Sequence, residues 1–330
     1  MLGLGMDQKA FLLREIFSPH EAWRRSKLLT EGRKLVHYTS AENAIKILRT
    51  GVIWMRNVRV MNDFMEVDHG MSMINRSLFP VDSPTEEGIR ALIKALNDIH
   101  SGVGDEVIQM FQQWYWAIRN RTHVTCLSEH DPRTENEHGR LSMWRSYSSS
   151  QVGVALVINP LPFYSLSDAL GAFSSPVFYF DDQQLKGMLM QIVNNLVSRR
   201  DMVAATDPQD IRGHFFLLLR SIAHCTKHPG FMEEQEWRVM HTIGLDPPGP
   251  LLREVETIAG IPQPVIKLPM RNDPTNGITG ITIPEILERV IIGPTQFPEV
   301  IGDALMLEMT NAGIGDAQNR LTRSSIPLRT

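Results

Sequence analysis

The segment that most limits the fold is Lys227-His228-Pro229-Gly230-Phe231-Met232-Glu233-Glu234-Gln235-Glu236-Trp237-Arg238-Val239-Met240. It follows a long apolar helical stretch, residues 208 to 225, for which Asp207 and Pro208 supply a cap and a first residue. Pro229 and Gly230 break the chain there. The residues beyond alternate toward Trp237, Val239 and Ile243, the period of a strand. If residues 234 to 243 are extended, Glu234, Glu236 and Arg238 share one face. Two carboxylates beside a cation can shift one another's pKa, as catalytic clusters do. The same arrangement is also met as a plain ion pair on a solvated strand edge.

Upstream, residues 7 to 30 read as a helical extension to the main fold, with Phe11, Leu12, Ile16 and Trp23 on its apolar stripe. A short strand then ends near His37. Thr39 and Glu42 fit a capping box, and Gly51 stops the helix they open. His37 and Tyr38 therefore fall at a strand-to-helix turn, where ligands are often held. Asn62 or Asp63 caps a helix through Met71 and Ile74. Helices are expected over 84–100 and 104–119, the second ending in Trp114, Tyr115 and Trp116, read as packing residues. Residues 123 to 128 form a strand, and 130 to 140 a polar loop without metal-ligand spacing. Leu141 to Tyr147 is a short helix, and strands follow at 153–158 and 177–180. Helices at 185–199 and 208–225 precede the opening segment. Later strands are expected at 265–268, 290–292 and 324–329, with a helix over 298–311.

Strands and helices mix without a βαβ rhythm, so the expected class is α+β: a single mixed, mainly antiparallel sheet with peripheral helices, one domain over 31–330. Composition supports a large core, at 42% hydrophobic and 21% charged. A net charge of −4 gives no global pull toward nucleic acid or an acidic membrane. Two cysteines a hundred residues apart make no disulfide framework, which points to a reducing cytoplasm. No leader and no membrane-length apolar run are read. Glycine-rich nucleotide loops, a metalloprotease helix and a nucleophile elbow are absent from the sequence.

Four segments in order resemble a bacterial family, domain of unknown function 2971. They are His37-Tyr38-Thr39-Ser40 with Ile47, Leu48 and Gly51; Met61-Asn62-Asp63 with Glu66; Cys126-Leu127-Ser128 with Ser142-Met143-Trp144 and Tyr147; and Lys227 with Phe231, Glu234, Glu236 and Arg238. Ser325 to Arg329 also fits, with Leu328 where the family has an aromatic. The resemblance runs over about residues 35 to 329. The family's opening strand-turn-helix is similar to that of ADP-ribosyltransferase-like folds. That similarity implies NAD as substrate, with His37 and Thr39 at the ribose and Tyr147 or Ser128 in the middle position. It makes Glu236 the late glutamate facing a ribosyl cation and Glu234 a base toward the acceptor. Tyr38, Asn62 and Asp63 stand around the nucleotide, Tyr147 or Trp144 stacks on nicotinamide, and Arg238 pairs with Glu236 or a phosphate.

Three functions follow in order. The first is an NAD-dependent ADP-ribosyltransferase or NAD glycohydrolase, its acceptor a protein or nucleic acid. The second is a non-catalytic nucleotide sensor in stress or phage defence. The third is a metal-dependent nucleic-acid processing enzyme using Asp63, Glu66, Glu234 and Glu236. A homo-oligomer stays open.

Overall fold

The computed structural model describes residues 6–61, 66–79, 87–147, 152–165, 167–258 and 260–327. The backbone divides into two compact units, each built from three stretches of chain: Met1–Arg25, Val58–Thr122 and Ser175–Met232 in the first, Ser26–Asn57, His123–Ser174 and Glu233–Thr330 in the second. That division does not follow the boundary expected at residue 30.

The first unit is helical, with its long helices at Met6–Phe17, Glu66–Leu78, Val103–Arg121, Asp182–Ser198 and Pro208–Cys225. The first begins a stretch expected as one helix to residue 30; a second helix instead restarts at Pro19. Pro208–Cys225 forms as expected: the Asp207 side chain accepts the Gln209 amide, and Pro208 takes the position where its missing N–H costs nothing. It crosses Glu66–Leu78 at Gly70. There a Cβ would stand 2.5 Å from the Ile222 carbonyl oxygen, so only glycine allows the approach. Tyr115 and Trp116, expected to pack, are 39% and 59% exposed, so the helix turns its aromatic face to solvent.

His20 lies against Phe178 and Phe180, with ring centroids 5.1 Å from each. Burial, and then the nearby Arg24 charge, lower its imidazole from 6.5 to about 4. A folded-state pKa below the unfolded one means the native state binds fewer protons in between. The stability is then fully present above about pH 6.5 and is lost as pH falls toward 4, by roughly 3 kcal/mol. Denaturant midpoints between pH 7 and 4.5 should fall steeply in the wild type and more gently in His20→Phe. Parallel slopes would remove His20 as the cause.

The second unit carries an open, mixed, mostly antiparallel sheet of ten described strands. These are β1 Lys34–Ser40, β2 Val52–Asn57, β3 Thr122–His130, β4 Gly153–Ile158, β5 Phe173–Pro176, β6 Glu236–Thr242, β7 Leu252–Ile258, β8 Ile261–Pro269, β9 Leu287–Ile292 and β10 Leu321–Arg323. The order is β10-β9-β4-β1-β3-β2-β8-β7, with β6 pairing β3 and β5. All paired neighbours with a described register are antiparallel except β9 and β10. β3 is shared: Ser128–His130 pair with β1, and His123 and Val124 with β2. An α+β class with a mainly antiparallel sheet is therefore what the irregular strand pattern indicated.

Four local readings change. The strand expected at 177–180 is β5, at 173–176; Phe178 makes only an isolated bridge to Thr226. The strand expected at 324–329 is β10, at 321–323. β7 replaces a stretch given no structure. The helix Ala41–Thr50 is capped by Ser40, which accepts the Asn43 amide, and not by Thr39; Gly51 closes it with φ 63. The start of the helix expected over 84–100, up to residue 86, lies outside the described residues.

The sheet has two unequal faces. Val154, Leu156 and Ile158 of β4, with Trp237, Val239, Val290 and Ile292, enter a large core. The helices Ala41–Thr50 and Pro298–Asn311 cover it through Ala44, Ile47, Leu48, Leu305 and Met309. Val36, Tyr38, Ala155, Val157 and Ile291 point the other way, into a small core with Met143 and Trp144 of the helix Leu141–Tyr147. β4 is buried on both sides, which accounts for its unbroken apolar run.

Candidate functional site

Residues directly opposite in an antiparallel pair share a face. Val36 stands opposite Ser128 on β3 and Val157 on β4, and Tyr38 opposite Ala155. Ser128 therefore joins the small-core face. On β6, Trp237 and Val239 belong to the large core, so alternation turns Glu236 and Arg238 to the small-core face. There a shallow, solvent-open hollow is lined by Val36, Tyr38, Cys126, Ser128, Met143, Glu234 and Glu236, among others.

Glu236 is 4% exposed and Arg238 2%. Arg238 Nε donates to Glu236 Oε1 at 2.9 Å and Nη2 to Oε2 at 3.3 Å. Such a fork neutralises a carboxylate that burial would otherwise penalise. Glu234 does not share the strand as expected. It ends a 3-10 turn, Pro229–Glu234, and β6 begins only at Glu236. Between them Gln235 has φ 46, the one positive φ at a non-glycine among the described residues.

Tyr38 accepts the Arg140 amide at its hydroxyl, 2.9 Å away. Burial pushes that hydroxyl well above the usual phenol range. Arg140 also reaches Glu135, Glu129, Glu233 and Glu234.

His37 goes elsewhere. It pairs with Leu156, between Leu35–Ile158 and Thr39–Val154, all on the large-core face. The convergence of His37 and Thr39 with Glu236 on one sugar does not occur at this hollow: the strand puts them on the opposite side of the sheet. His37 Nδ1 stands 2.9 Å from the Cys126 carbonyl oxygen. A carbonyl only accepts, so Nδ1 carries the proton and Nε2 is left as an acceptor. Burial holds this imidazole below the ordinary histidine range.

Trp144 is not a stacking platform. It is fully buried, its Nε1 donates to the His138 carbonyl at 2.7 Å, and its ring meets Tyr38 edge-on at 4.9 Å. Asn62 and Asp63 lie outside the described residues, as do the side chains of Glu66 and Tyr147. Among the described residues no three His, Cys, Asp or Glu side chains are grouped to hold a metal, and no helix is long and apolar enough to cross a membrane. Arg140 and Gln235 escaped the sequence reading. Nothing local marks Arg140, whose partners lie up to 102 positions away.

Residues 143–239 match the model of a family described as a protein of unknown function, DUF2971. The match takes in Met143, Trp144, Glu234, Glu236 and Arg238, and is shorter than the 35–329 span of the resemblance read from the sequence. No curated protein and no solved structure matches the chain.

Proposed function

We propose that the chain bearing this family segment holds the ribosyl end of a nucleotide, NAD foremost, in the hollow beneath Glu236, and that it binds without consuming it. One observation carries the reading: Glu236 faces the hollow with its charge already satisfied by Arg238 at 2.9 Å. Cleavage of the nicotinamide–ribose bond develops a ribosyl cation, which calls for a carboxylate free to meet it. An arginine-forked carboxylate is a poor partner for that charge. A carboxylate oxygen carries two lone pairs, so one bonded to arginine can also accept a sugar hydroxyl, and Ser128 adds a hydroxyl that both donates and accepts. The hollow is shallow, so a sugar would present only a hydroxyl edge to it, with the rest of the nucleotide in solvent.

The catalytic alternative, ADP-ribosyl transfer or NAD hydrolysis, draws support from Glu234 lining the same hollow as Glu236. It requires Arg238 to release Glu236. Calorimetry with NAD and with ADP-ribose, beside chromatography for nicotinamide, separates the readings. Heat of binding with NAD intact supports a binding module. Nicotinamide release that disappears in Glu236→Gln would put the transferase first. No heat with either nucleotide would sink both.

A further inference from the structure

We infer that Arg140 is the positioning residue of this hollow: it fixes the turn that carries Glu234 and so sets how that carboxylate meets a ligand. For the ligand, the inference rests on the binding reading above. Arg140 itself is not among the lining residues, so it acts through the segments it ties together.

One residue joins four of them. Its amide donates to Tyr38 Oη at 2.9 Å and its Nε to Glu135 Oε1 at 2.7 Å. Nη1 donates to the Glu233 and Glu234 carbonyls at 2.9 and 3.1 Å, and Nη2 to the Glu129 carbonyl at 2.7 Å. The Glu233 and Glu234 carbonyls end the 3-10 turn, where acceptors need partners from outside the helix. Tyr38 and Glu234 line the hollow, and Glu129 follows Ser128, which also does.

The next residue shows why a clamp is needed. Gln235, at φ 46, holds a backbone conformation that a side-chain-bearing residue keeps only when its surroundings over-determine it. Here the Glu129 amide donates to the Gln235 carbonyl at 3.0 Å, and Arg33 Nη1 to its Oε1 at 3.3 Å. Arg140 secures the preceding two carbonyls. The strained residue is thus fastened on both sides, and the change from 3-10 turn to strand puts Glu234 and Glu236 on one hollow. A lysine cannot substitute, because one ammonium lacks the planar fork that spans three backbone carbonyls and a carboxylate.

The test compares Arg140→Lys, Arg140→Ala and Gln235→Gly with the wild type. The Gly variant keeps the left-handed backbone without strain. Three quantities are measured: amide exchange at residues 233–237, alkylation of Cys126 by a maleimide, and ADP-ribose affinity by calorimetry. Both arginine variants should exchange and alkylate faster and bind about tenfold more weakly, the loss of one charge-assisted contact or more. Gln235→Gly should loosen the same amides to a smaller degree. The buried Cys225 serves as the internal reference for global opening and should stay unreactive. Millimolar guanidinium ion should restore part of the affinity in Arg140→Ala and none in Arg140→Lys. Wild-type exchange and alkylation in a folded Arg140→Lys would overturn the inference, as would an unchanged Gln235→Gly should both arginine variants unfold. Failure of the wild type to bind ADP-ribose would overturn the binding reading alone, and the exchange and alkylation would still decide the role of Arg140.

Discussion

Arg238→Met should lower stability at neutral pH by about 3–5 kcal/mol, and Arg238→Met with Glu236→Gln should recover most of it. The asymmetry is the content of the prediction. Glu236 and Arg238 are both nearly inaccessible and are joined by two hydrogen bonds. Removing the arginine takes its two-pronged contact from a buried carboxylate, whereas removing both charges leaves an uncharged amide beside a thioether. In the single variant burial favours the protonated, uncharged form of the carboxyl group. The penalty of Arg238→Met should therefore shrink as the pH is lowered toward the carboxylate range and grow as it returns to 7. Denaturant midpoints of wild type, both single variants and the double variant, taken at pH 5 and pH 7, give the cycle. Equal losses in the single and double variants would mean the two charges are not coupled. The same variants bear on function: a Glu236 that takes a proton can donate to a sugar oxygen where the wild-type carboxylate can only accept.

The face each residue takes is what the sequence left hidden, and the reason is physical. Local signals were clear. Asp207-Pro208 opens its helix, Gly51 closes another, and the run Gly153–Ile158 forms a strand buried on both faces. Each depends on residues within one turn or one strand. His37 and Glu236 both sit on strands, as read, yet alternation alone cannot say whether two strands 199 positions apart present their side chains to the same side. The register of β1 on its neighbours, and the core that each face of β6 enters, decide that, and here they send the two apart. Glu234 was misplaced by a single residue of backbone. Gln235 leaves the extended region, so the period-two count fails where the strand was expected to continue. β7 was missed because a sheet-edge strand with Leu252, Arg253, Glu254 and Val255 all exposed has no buried face to show a period. Glu254 and Glu256 are instead held by Lys267 on β8, a pairing visible only after the hairpin forms.

Trp144→Ala should cost about 3–5 kcal/mol, the usual range for emptying the site of a buried aromatic, and it should disturb the hollow as well as the fold. Trp144 is wholly inaccessible and forms the middle of a core that holds few other large side chains: Val36, Tyr38, Met143, Val157 and Ile291. Its neighbours are shaped to it. A Cβ on Gly139 would fall 2.4 Å from the ring, and one on Gly293 would fall 2.9 Å from the ring and 2.9 Å from the Gly153 carbonyl oxygen. The backbone can therefore close in on the indole only because both positions are glycine. Little around it can collapse to fill the space, since β4 and β9 are fixed by their own pairing. The lost Nε1 donor also leaves the His138 carbonyl with Ser324 Oγ alone of its two described donors. Tyr38 loses its edge contact and with it one restraint on the hydroxyl that meets Arg140. Chemical denaturation should show the stability loss, and maleimide alkylation of Cys126 should accelerate under native conditions. Gly293→Ala, which keeps the indole but crowds it, should lower stability in the same direction through overpacking by about 1–3 kcal/mol. A Trp144→Ala variant within 1 kcal/mol of the wild type, about the spread of an ordinary substitution, would show that this small face does not anchor the sheet.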